Sequence, residues 1–510
     1  MIIALPLSRF VFAGITVLAG RWSKQLLLAA HLLDLGLILA LILTGATAGS
    51  PVTLGGWGSG IGITLAFDDV SMTFLLLALT LSIAISLYVW SDGHRPHFYV
   101  LLHFLIGACY ALSATQDLFN AYILFELLTL VSFLLVGYER RPKQIWASLR
   151  YMIMSSFGMG LFLLGVAVVY YHTRTLNIDH LMAAVAGQLD ASWVRLAAAL
   201  LVAGIAVKAG VFTFSLWLPD AHSRAVPAVS ALLSGLVIKM GVVELFRLGD
   251  IFPLDLVYTV LGVTTGLIGA LYAIRSMDLK RMLAFSTLSQ IGYILIALGA
   301  GSPAARLGAL DYAVAHGLFK ALLFLAIGEI ARRVGSSNVH RMLASGIQVP
   351  RAARWAILFG LLSIVGLPPF AGFAAKGVIE SSLHSGLMHG LLVVISVGTA
   401  MSFAKFLPLL RAVCTSCTPR SRTMSYIWLS TGIASFLPLA LWGTPATMTI
   451  VLGQWPVYVE ALLAAALGFG LFRFVQGRKL VLPSRVFRLE EGVLVIVAGF
   501  FAVWLLYGLG

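Results

Sequence analysis

Residues 201–247 read LVAGIAVKAGVFTFSLWLPDAHSRAVPAVSALLSGLVIKMGVVELFR, and this stretch decides the fold, because two of its apolar segments each carry a lysine. Lys208 and Lys239 lie far from either polar end of their segments. A charged side chain at the centre of a membrane helix costs about 2.5–3.5 kcal/mol, so such residues usually face a bundle interior or a wet cavity. The two lysines are therefore predicted to be functional residues.

The composition of the whole chain indicates a membrane protein. The 510 residues are 60% hydrophobic and 11% charged, with a mean hydropathy of +0.99. A soluble domain has about 25% charged residues, so this chain has too little polar surface to coat a globule. Residues 2–20 carry Arg9 inside the apolar run, which favours a first span over a cleaved signal peptide. The predicted fold class is an all-α polytopic membrane protein in a lipid bilayer.

Apolar runs of about 20 residues predict sixteen membrane spans. They lie near residues 2–20, 26–48, 69–90, 98–115, 118–137, 148–171, 194–217, 225–246, 254–274, 282–300, 306–330, 354–376, 386–410, 425–443, 449–474 and 491–509.

Basic residues alternate between the loops on the two sides of these spans. Of the 34 lysines and arginines, 24 fall in one set of loops, five fall on the opposite side, including Arg9 and Arg247, and five are lysines inside spans. By the positive-inside rule the richer set is cytoplasmic, which places both termini outside a plasma (inner) membrane. Sidedness thus accounts for the net charge of +14, and no nucleic-acid partner is predicted.

The fifth predicted span contains a buried acid in the run DLFNAYILFELL. Asp117 opens the span, and Glu126 lies nine residues further on, about 13 Å deeper at the helical rise per residue. An isolated carboxylate in a membrane is costly, and Lys208 offsets that cost if the two helices meet. The alternative is a carboxylate that bonds a neighbouring helix only for packing.

The eleventh span contains two titratable residues in AVAHGLFKALLFLAIGEI. His316 and Lys320 are four residues apart and share one helix face. A histidine can pass protons between its two nitrogens, so the pair predicts a proton relay. The alternative is a histidine that bonds a backbone carbonyl beside a snorkelling lysine.

Two spans carry helix breakers beside a lysine. In ILFGLLSIVGLPPFAGFAAKG, Gly366, Pro368 and Pro369 lie mid-span and are followed by Lys376, whereas Gly210 follows Lys208 in span seven. A break inside a membrane is tolerated only where protein or water satisfies the freed backbone groups. Interrupted spans in corresponding positions of two halves point to a transport path.

The cysteines and the motif content predict neither a metal site nor a cofactor. Cys414 and Cys417 form a lone C-x-x-C, whereas a structural zinc site needs four ligands, so free thiols are expected here and at Cys109. The chain contains no nucleotide, flavin or iron–sulfur motif. Any redox chemistry is therefore expected to belong to a partner, whereas the buried charges and helix breaks described above point to transport.

Several long motifs resemble one known family. The runs DLFNAYILFELL, VKAGVFTFSLWLPDAHSRAVPAVSALLSGLVIKMGV, LAFSTLSQIGYI, AHGLFKALLFL and GLPPFAGFAAKG are similar to those of the proton-translocating antiporter family. This family includes the D-type subunits of Mrp-type multisubunit sodium/proton antiporters and the antiporter-like subunits of respiratory complex I and membrane-bound hydrogenases. The resemblance covers about residues 65–410.

The resemblance implies a fourteen-helix core with two inverted five-helix repeats, broken at helices 7 and 12. Two extra C-terminal spans follow that core and have the character of a docking addition. The implied domains are helices 1–3 at 1–97, the first repeat at 98–247, the second repeat at 253–411 and the C-terminal helices at 425–510.

The resemblance also implies the residues of a proton path: Glu126, Lys208, Lys239, His316 and Lys376. Lysine at 376, where some relatives have glutamate, favours the Mrp D type or its nearest complex I relatives. Asp117, Lys320, Glu244 and Lys405 are possible auxiliary groups, with Lys239 the expected partner of Glu244. Thr213 replaces a usual proline, so the first break is expected to rest on Gly210 and local hydration.

Three functions are consistent with these residues. The first is an ion-translocating subunit of a cation/proton antiporter that carries protons, with Na⁺ as an open second ion, and assembles with other membrane subunits. The second is a proton-pumping subunit of a complex I or hydrogenase-type redox complex. The third is the proton-conducting partner of a non-redox uptake system such as inorganic-carbon accumulation.

Overall fold

The computed structural model describes residues 2–44, 51–58, 60–346, 348–383, 385–411, 413–414, 420–434, 455–475 and 489–509. Helices make up nearly all of this part of the chain, and twelve of them are long and apolar enough to cross a membrane. Its two small sheets have two-residue strands: β1 (Val52–Thr53) pairs antiparallel with β2 (Thr64–Leu65), and β3 (Val349–Pro350) pairs parallel with β4 (Val413–Cys414). The predicted all-α membrane fold is confirmed.

The described residues contain twenty-two α-helices, numbered here in chain order. They are α1 (Ala4–Leu18), α2 (Ser23–Leu43), α3 (Asp69–Val89), α4 (Pro96–Ala114), α5 (Leu118–Val136), α6 (Pro142–Thr173), α7 (Ile178–Val185), α8 (Ser192–Ala209), α9 (Leu218–Arg224), α10 (Pro227–Leu232), α11 (Ile238–Ile251), α12 (Asp255–Arg275), α13 (Leu279–Leu298), α14 (Pro303–Val334), α15 (Val339–Ala344), α16 (Arg351–Val365), α17 (Ala371–Ser381), α18 (Gly386–Phe403), α19 (Leu407–Arg411), α20 (Arg420–Ala434), α21 (Trp455–Val475) and α22 (Leu489–Tyr507).

The same arrangement of helices and caps occurs twice along the chain. Asp117 caps α5 and pairs through its backbone with Asn177, which caps the short helix α7, and Asp278 and Asn338 do the same for α13 and α15. Between each pair of caps lies a 32-residue helix that starts with proline, α6 or α14. Corresponding positions are 161 residues apart for both caps and for the proline. The two halves are therefore built to one plan.

The first break separates α8 from α9. Gly210 ends α8 with φ +80°, and Thr213 has φ +78°, which is an uncommon value for a β-branched residue. The Val207 carbonyl, freed by the break, accepts a hydrogen bond from the Trp217 side chain, and the Ala206 carbonyl accepts one from the Ser215 hydroxyl in addition to its backbone bonds. The expectation that the break rests on Gly210 and hydration is thus incomplete, because a strained threonine and two side chains contribute to it.

The second break separates α16 from α17. Gly366 ends α16 with φ +87°. The Nζ of Lys376 on α17 lies 3.3 Å from the freed carbonyl oxygen of Ile364 and donates a hydrogen bond to it. Gly372 lies so close to Ser363 that an added Cβ would be 2.0 Å from the Ser363 carbonyl oxygen. The break is therefore satisfied from within the protein, as a bilayer requires.

Burial ranks the helices from the centre of the molecule to its edge. The apolar windows of residues 227–251 and of α14 are fully buried, whereas those of α2 and α21 are 33% and 17% buried. The central position therefore belongs to α10, α11 and α14. The extra spans α21 and α22 lie at the periphery.

Two predictions fall partly outside the described residues. Helix α20 matches the start of the fourteenth predicted span, whose remainder from residue 435 onward lies outside them. Cys417 also lies outside them, whereas Cys109 is a buried free thiol in α4. Arg9, assigned above to the external side, instead lies inside α1 and is fully buried.

Candidate functional site

Lys239 and His316 meet at the centre of the molecule. Lys239 follows a π-helical turn, Leu233–Val237, and its Nζ lies 3.3 Å from the Ser234 carbonyl oxygen in that turn. The same Nζ lies 2.5 Å from Nδ1 of His316 on α14. Both side chains are fully buried. Single π turns inside α-helices occur frequently at functional sites, and this turn directs the lysine to the imidazole.

The His316 ring is oriented for proton exchange. If the ammonium group of Lys239 donates to Nδ1, the ring is neutral and carries its proton on Nε2. Nε2 is buried and has no hydrogen-bond partner among the described residues. Phe319 packs against the ring edge to face, with centroids 5.3 Å apart. The imidazole therefore has one nitrogen on Lys239 and a second that can serve the next group.

Lys208 is the equivalent residue next to the first break. Its Nζ donates a short hydrogen bond to Oγ1 of Thr129 on α5. Glu126 lies one helical turn before Thr129, and its charge acts on Lys208. No ion pair within 4.0 Å joins these two described residues, and Glu126 is only half-buried. The expected meeting of α5 and α8 is present, with a hydroxyl rather than the carboxylate in direct contact.

Lys320 lies one turn beyond His316 but has different partners. Its Nζ donates to the Leu283 carbonyl at 2.9 Å and to Oγ of Ser286 at 2.5 Å, both on α13. It also lies 5.6 Å from the centre of the Phe403 ring. The two residues on this face of α14 therefore contact different helices. His316 contacts α11, and Lys320 contacts α13.

Lys376 lies just after the second break, in a polar and aromatic environment. Its Nζ is 3.4 Å from Oγ of Ser396 and lies over the rings of Tyr293 and Tyr312, at 5.2 and 5.9 Å from their centres. Such aromatic contacts stabilise a buried cation. Glu380, one turn further along α17, supplies a negative charge that acts on Lys376.

A hydrogen-bonded network surrounds Lys376. The Tyr293 hydroxyl donates to Glu380, and the Tyr312 hydroxyl donates to the side-chain carbonyl of Gln290. The Gln290 amide in turn donates to Thr399 at 3.0 Å. These bonds join α13, α14, α17 and α18, so four helices hold the surroundings of Lys376 in place.

Close contacts between helices bring the region of Lys239 next to that of Lys208 on one side and that of His316 on the other. A Cβ on Gly241 of α11 would lie 2.5 Å from the backbone nitrogen of Ala209, next to Lys208. A Cβ on Gly235 would lie 2.9 Å from the carbonyl oxygen of Gly317, next to His316. Glycine lets the backbones of membrane helices approach closely. We call Lys208, Lys239, Lys320 and Lys376 the lysine row.

The structure places Glu244 away from Lys239. An oxygen of Glu244 lies 3.4 Å from Nη1 of Arg247, one turn along α11. Arg247 also donates to the carbonyls of Leu112 and Ser113, at 3.0 and 2.7 Å. The expected Glu244–Lys239 pair is therefore wrong. Residues five apart lie on different faces of a helix, whereas residues three apart are neighbours.

The remaining auxiliary candidates cap helices. Lys405 donates to the carbonyls of Ala273, Ile274 and Ser276 at the C-terminus of α12. A cation there complements the negative end of the helix dipole. Asp117 accepts from the Asn120 amide at 2.7 Å as the N-cap of α5. Burial raises the pKa of the Asp117 carboxyl, and hydrogen bonds from the backbone amides of Asn120 and Phe119 oppose that shift.

Sequence reasoning missed several polar residues of this region. Glu380 had a readable signal, since it follows Lys376 by four residues and so shares its helix face. Gln290 and Tyr293 lie in the run LAFSTLSQIGYI, whose polar residues were not singled out. His222 of the run LPDAH is fully buried near Trp217, and neither of its ring nitrogens has a partner among the described residues.

Comparison with known proteins identifies a family. Residues 115–402 match the model described as NADH:quinone oxidoreductase/Mrp antiporter, TM. The chain is 31% identical over 470 residues to F(420)H(2) dehydrogenase subunit N of Methanosarcina mazei, covering 87% of this chain and 93% of that protein. It is 30% identical over 334 residues to the D-type subunit of the Na(+)/H(+) antiporter of Alkalihalophilus pseudofirmus, covering 63% and 67%.

Solved structures show the same fold. A chain of the membrane-bound sulfane sulfur reductase, an archaeal respiratory membrane complex, matches with a TM-score of 0.77 at 23% identity, covering 91% of this chain and 98% of that chain. A chain of the Mrp complex from Dietzia sp. matches with a TM-score of 0.80 at 21% identity, covering 98% and 60%. At these identities the likeness concerns the fold.

Proposed function

The chain belongs to the NADH:quinone oxidoreductase/Mrp antiporter family and is an antiporter-like membrane subunit, and from that premise we propose that it translocates protons along the lysine row within a multisubunit cation/proton antiporter. The observation that carries the proposal is the contact of 2.5 Å between Lys239 and His316 at the buried centre of the row. A lysine that donates to an imidazole can give up its proton without a large movement.

Each lysine of the row has a partner that can both accept and donate a proton. The partners are the hydroxyls of Thr129, Ser286 and Ser396 and the imidazole of His316. Burial disfavours the charged form of a lysine, and a nearby carboxylate favours it. Small changes in the position of Glu126 or Glu380 therefore shift the proton along the row, from Lys208 through Lys239 and His316 toward Lys376.

Glu126 is proposed as the switch at the first end of the row. When its carboxylate approaches Lys208, the lysine holds its proton, and when it withdraws, the proton moves on toward Lys239. Thr129 supports this role because its hydroxyl holds Lys208 one helical turn from the carboxylate. The two states of Lys208, on the hydroxyl and on the carboxylate, are the proposed bistable element.

The repeated pattern supports the proposed division into domains. Residues 1–97 form the N-terminal helices, 98–247 and 253–411 form two inverted repeats, and 425–510 form the C-terminal helices. The matched caps at Asp117 and Asp278 precede predicted spans of opposite direction. Each repeat has one break, after Gly210 and after Gly366, and each break is next to a lysine of the row.

The partners are proposed to be other membrane subunits, with H⁺ as the transported ion and Na⁺ as an open second ion. Both solved relatives belong to membrane complexes. A proton-pumping role in a redox complex is the second candidate, because the relative named as a subunit of F(420)H(2) dehydrogenase covers 87% of this chain. In that role the chain carries protons and the redox centres belong to other subunits.

We also propose a plasma-membrane location with both termini on the external side, which follows from the concentration of 24 of 34 basic residues in one set of loops. An alkaline phosphatase fused after Gly510 should be active, because that enzyme needs the external, oxidising side. A fusion at Arg411, in a loop predicted to be cytoplasmic, should be inactive. The opposite pattern contradicts the orientation.

The proposed function is tested by proton flux in inverted membrane vesicles that contain the chain with its partner subunits. Lys239→Met and Lys376→Ala should each lower the flux by about 100-fold or more, as expected when a positioned proton donor is removed. Both variants should remain assembled, because removing a desolvated charge relieves its burial cost. The matched control is Lys405→Met, which removes a buried lysine outside the row and should keep its flux per assembled protein. Wild-type flux in Lys239→Met refutes the proposal.

A further inference from the structure

Helix α21 lies beyond the helices that the family model matches, and it covers the outer end of the lysine row. Phe373 on α17 and Tyr458 on α21 have ring centres 4.7 Å apart. A Cβ on Gly468 of α21 would lie 2.6 Å from the carbonyl oxygen of Val397 on α18. Contact this close between backbones is the kind that fixes two membrane helices against each other. The helix therefore has a defined position over α17 and α18.

A cavity lies between α21 and the second break. Its walls include Gly366, Lys376, Glu380, Ser396, Val457 and Glu460, so they join one lysine of the row to an acid on α21. The cavity has room for water, and its polar groups can bind it. Most of the surrounding surface is apolar, which excludes other charged solutes.

The titratable groups in and next to the cavity differ in their exposure. Lys376 is 5% exposed, whereas the side chains of Glu460 and His389 are 28% and 36% exposed. An oxygen of Glu460 lies 2.8 Å from Nε2 of His389, near the start of α18. Glu380 lines the same cavity as Lys376 and Glu460.

From this geometry we infer that α21 completes an outlet of the proton path, with Glu380, Glu460 and His389 carrying protons between Lys376 and the membrane surface. We call these three residues the outlet cluster. The inference rests on the proposed function and assigns the extra C-terminal helix a part in it. The outlet opens where α17 ends and α18 begins, on the side predicted to be external.

The transfer consists of proton movements only. An N–H bond of Lys376 breaks as an O–H bond forms on the Glu380 carboxylate, through water where the side chains do not touch. The proton then passes to the Glu460 carboxylate and on to neutral Nε2 of His389, which releases a proton to bulk water. One proton moves at each step, nothing is oxidised or reduced, and the reverse order serves uptake. Tyr293 holds Glu380 in place by donating to its carboxylate.

The test is the initial rate of proton flux in vesicles that contain the full complex. Glu460→Gln should lower this rate about tenfold, because the amide cannot accept a proton. Glu460→Asp should retain most of it. The matched control is Glu491→Gln on α22, an exposed glutamate of the other extra helix, which should keep the wild-type rate. The amount of assembled protein and its melting temperature should be the same in all four proteins.

These variants distinguish a proton outlet from a contact that only anchors α21. The amide of Glu460→Gln keeps the size and polarity of the side chain beside His389, so a contact that only anchors α21 survives the change and the rate stays at the wild-type value. That result overturns the inference. If Glu460→Gln does not accumulate, His389→Gln decides in the same way, since this half-exposed residue is easily replaced, and a wild-type rate there also overturns the outlet.

The outcomes also distinguish this inference from the function on which it rests. No flux in wild-type vesicles, or full flux in Lys239→Met, counts against the proposed function. A loss in Lys376→Ala together with full flux in Glu460→Gln leaves the proposed function intact and refutes the outlet cluster alone.

Discussion

The molecule buries two groups of cations that differ in what they contact. The lysine row contacts hydroxyls and an imidazole, which can accept and donate protons. A second group, the anchored cations, consists of two arginines that are paired with carboxylates and one lysine that donates to backbone carbonyls. The anchored cations are Arg9, Arg247 and Lys405.

This difference teaches that burial alone does not identify a transport residue. Arg9 and Lys239 are both fully buried in membrane helices. Arginine keeps its proton at any pH that a protein tolerates, whereas lysine can lose it when it is desolvated. Lys405 could lose a proton, but its three carbonyl partners cannot carry one away. A transport role needs both a group that can release its proton and a neighbour that can take it.

The variant with the largest expected effect is Arg9→Met, which tests whether an anchored cation matters for stability or for transport. Its Nε donates to Asp34 at 2.7 Å, its Nη2 contacts His31, and the Tyr110 hydroxyl also donates to Asp34. Arg9→Met leaves the buried carboxylate unpaired, which should lower the free energy of unfolding by about 3–5 kcal/mol. The measurement is the melting temperature in detergent, with proton flux normalised to the amount of assembled protein.

The double variant Arg9→Met/Asp34→Asn is the control for this prediction. With both charges gone, Tyr110 can still bond the amide, so most of the lost stability should return. Normalised flux should stay at the wild-type value in both variants. A flux loss that persists in the stable double variant moves Arg9 from the anchored cations to the transport path.

The fold and most of the lysine row were predictable from the sequence, because lysines inside apolar spans and glycines beside them are visible without a structure. Lys208, Lys239 and Lys376 could be identified from their positions within apolar segments alone. The partner of Glu244 was mispredicted because the choice between Lys239 and Arg247 depends on helix phase. Glu460 was not singled out, since the cavity to which it contributes forms only when α21 packs on α17 and α18. Contacts between distant segments are set by packing, which no single span reveals.

The smallest effect on stability is expected for Glu126 and Lys208, where a carboxylate lies close to a lysine of the row. A buried ion pair in direct contact gives a large coupling between the stabilities of its two single variants. Here Lys208 contacts Thr129, and Glu126 is half-buried and beyond ion-pair distance. The coupling in a cycle of Glu126→Gln, Lys208→Met and the double variant should therefore be small, about 0.5–1 kcal/mol. The stabilities are measured by melting in detergent.

Proton flux in the same four proteins should change strongly, although the coupling between their stabilities is small. Either single change should stop proton transfer, and the double change should not restore it, because both groups that the switch requires are absent. Thr129→Val tests the hydroxyl separately, since it removes the group that holds Lys208 and keeps both charges. A coupling of several kcal/mol shows that the carboxylate binds Lys208 directly in the dominant state, which makes this lysine an anchored cation at rest. Wild-type flux in Glu126→Gln removes the switch from this end of the row, and the search for it then turns to Glu380, the other carboxylate beside a row lysine.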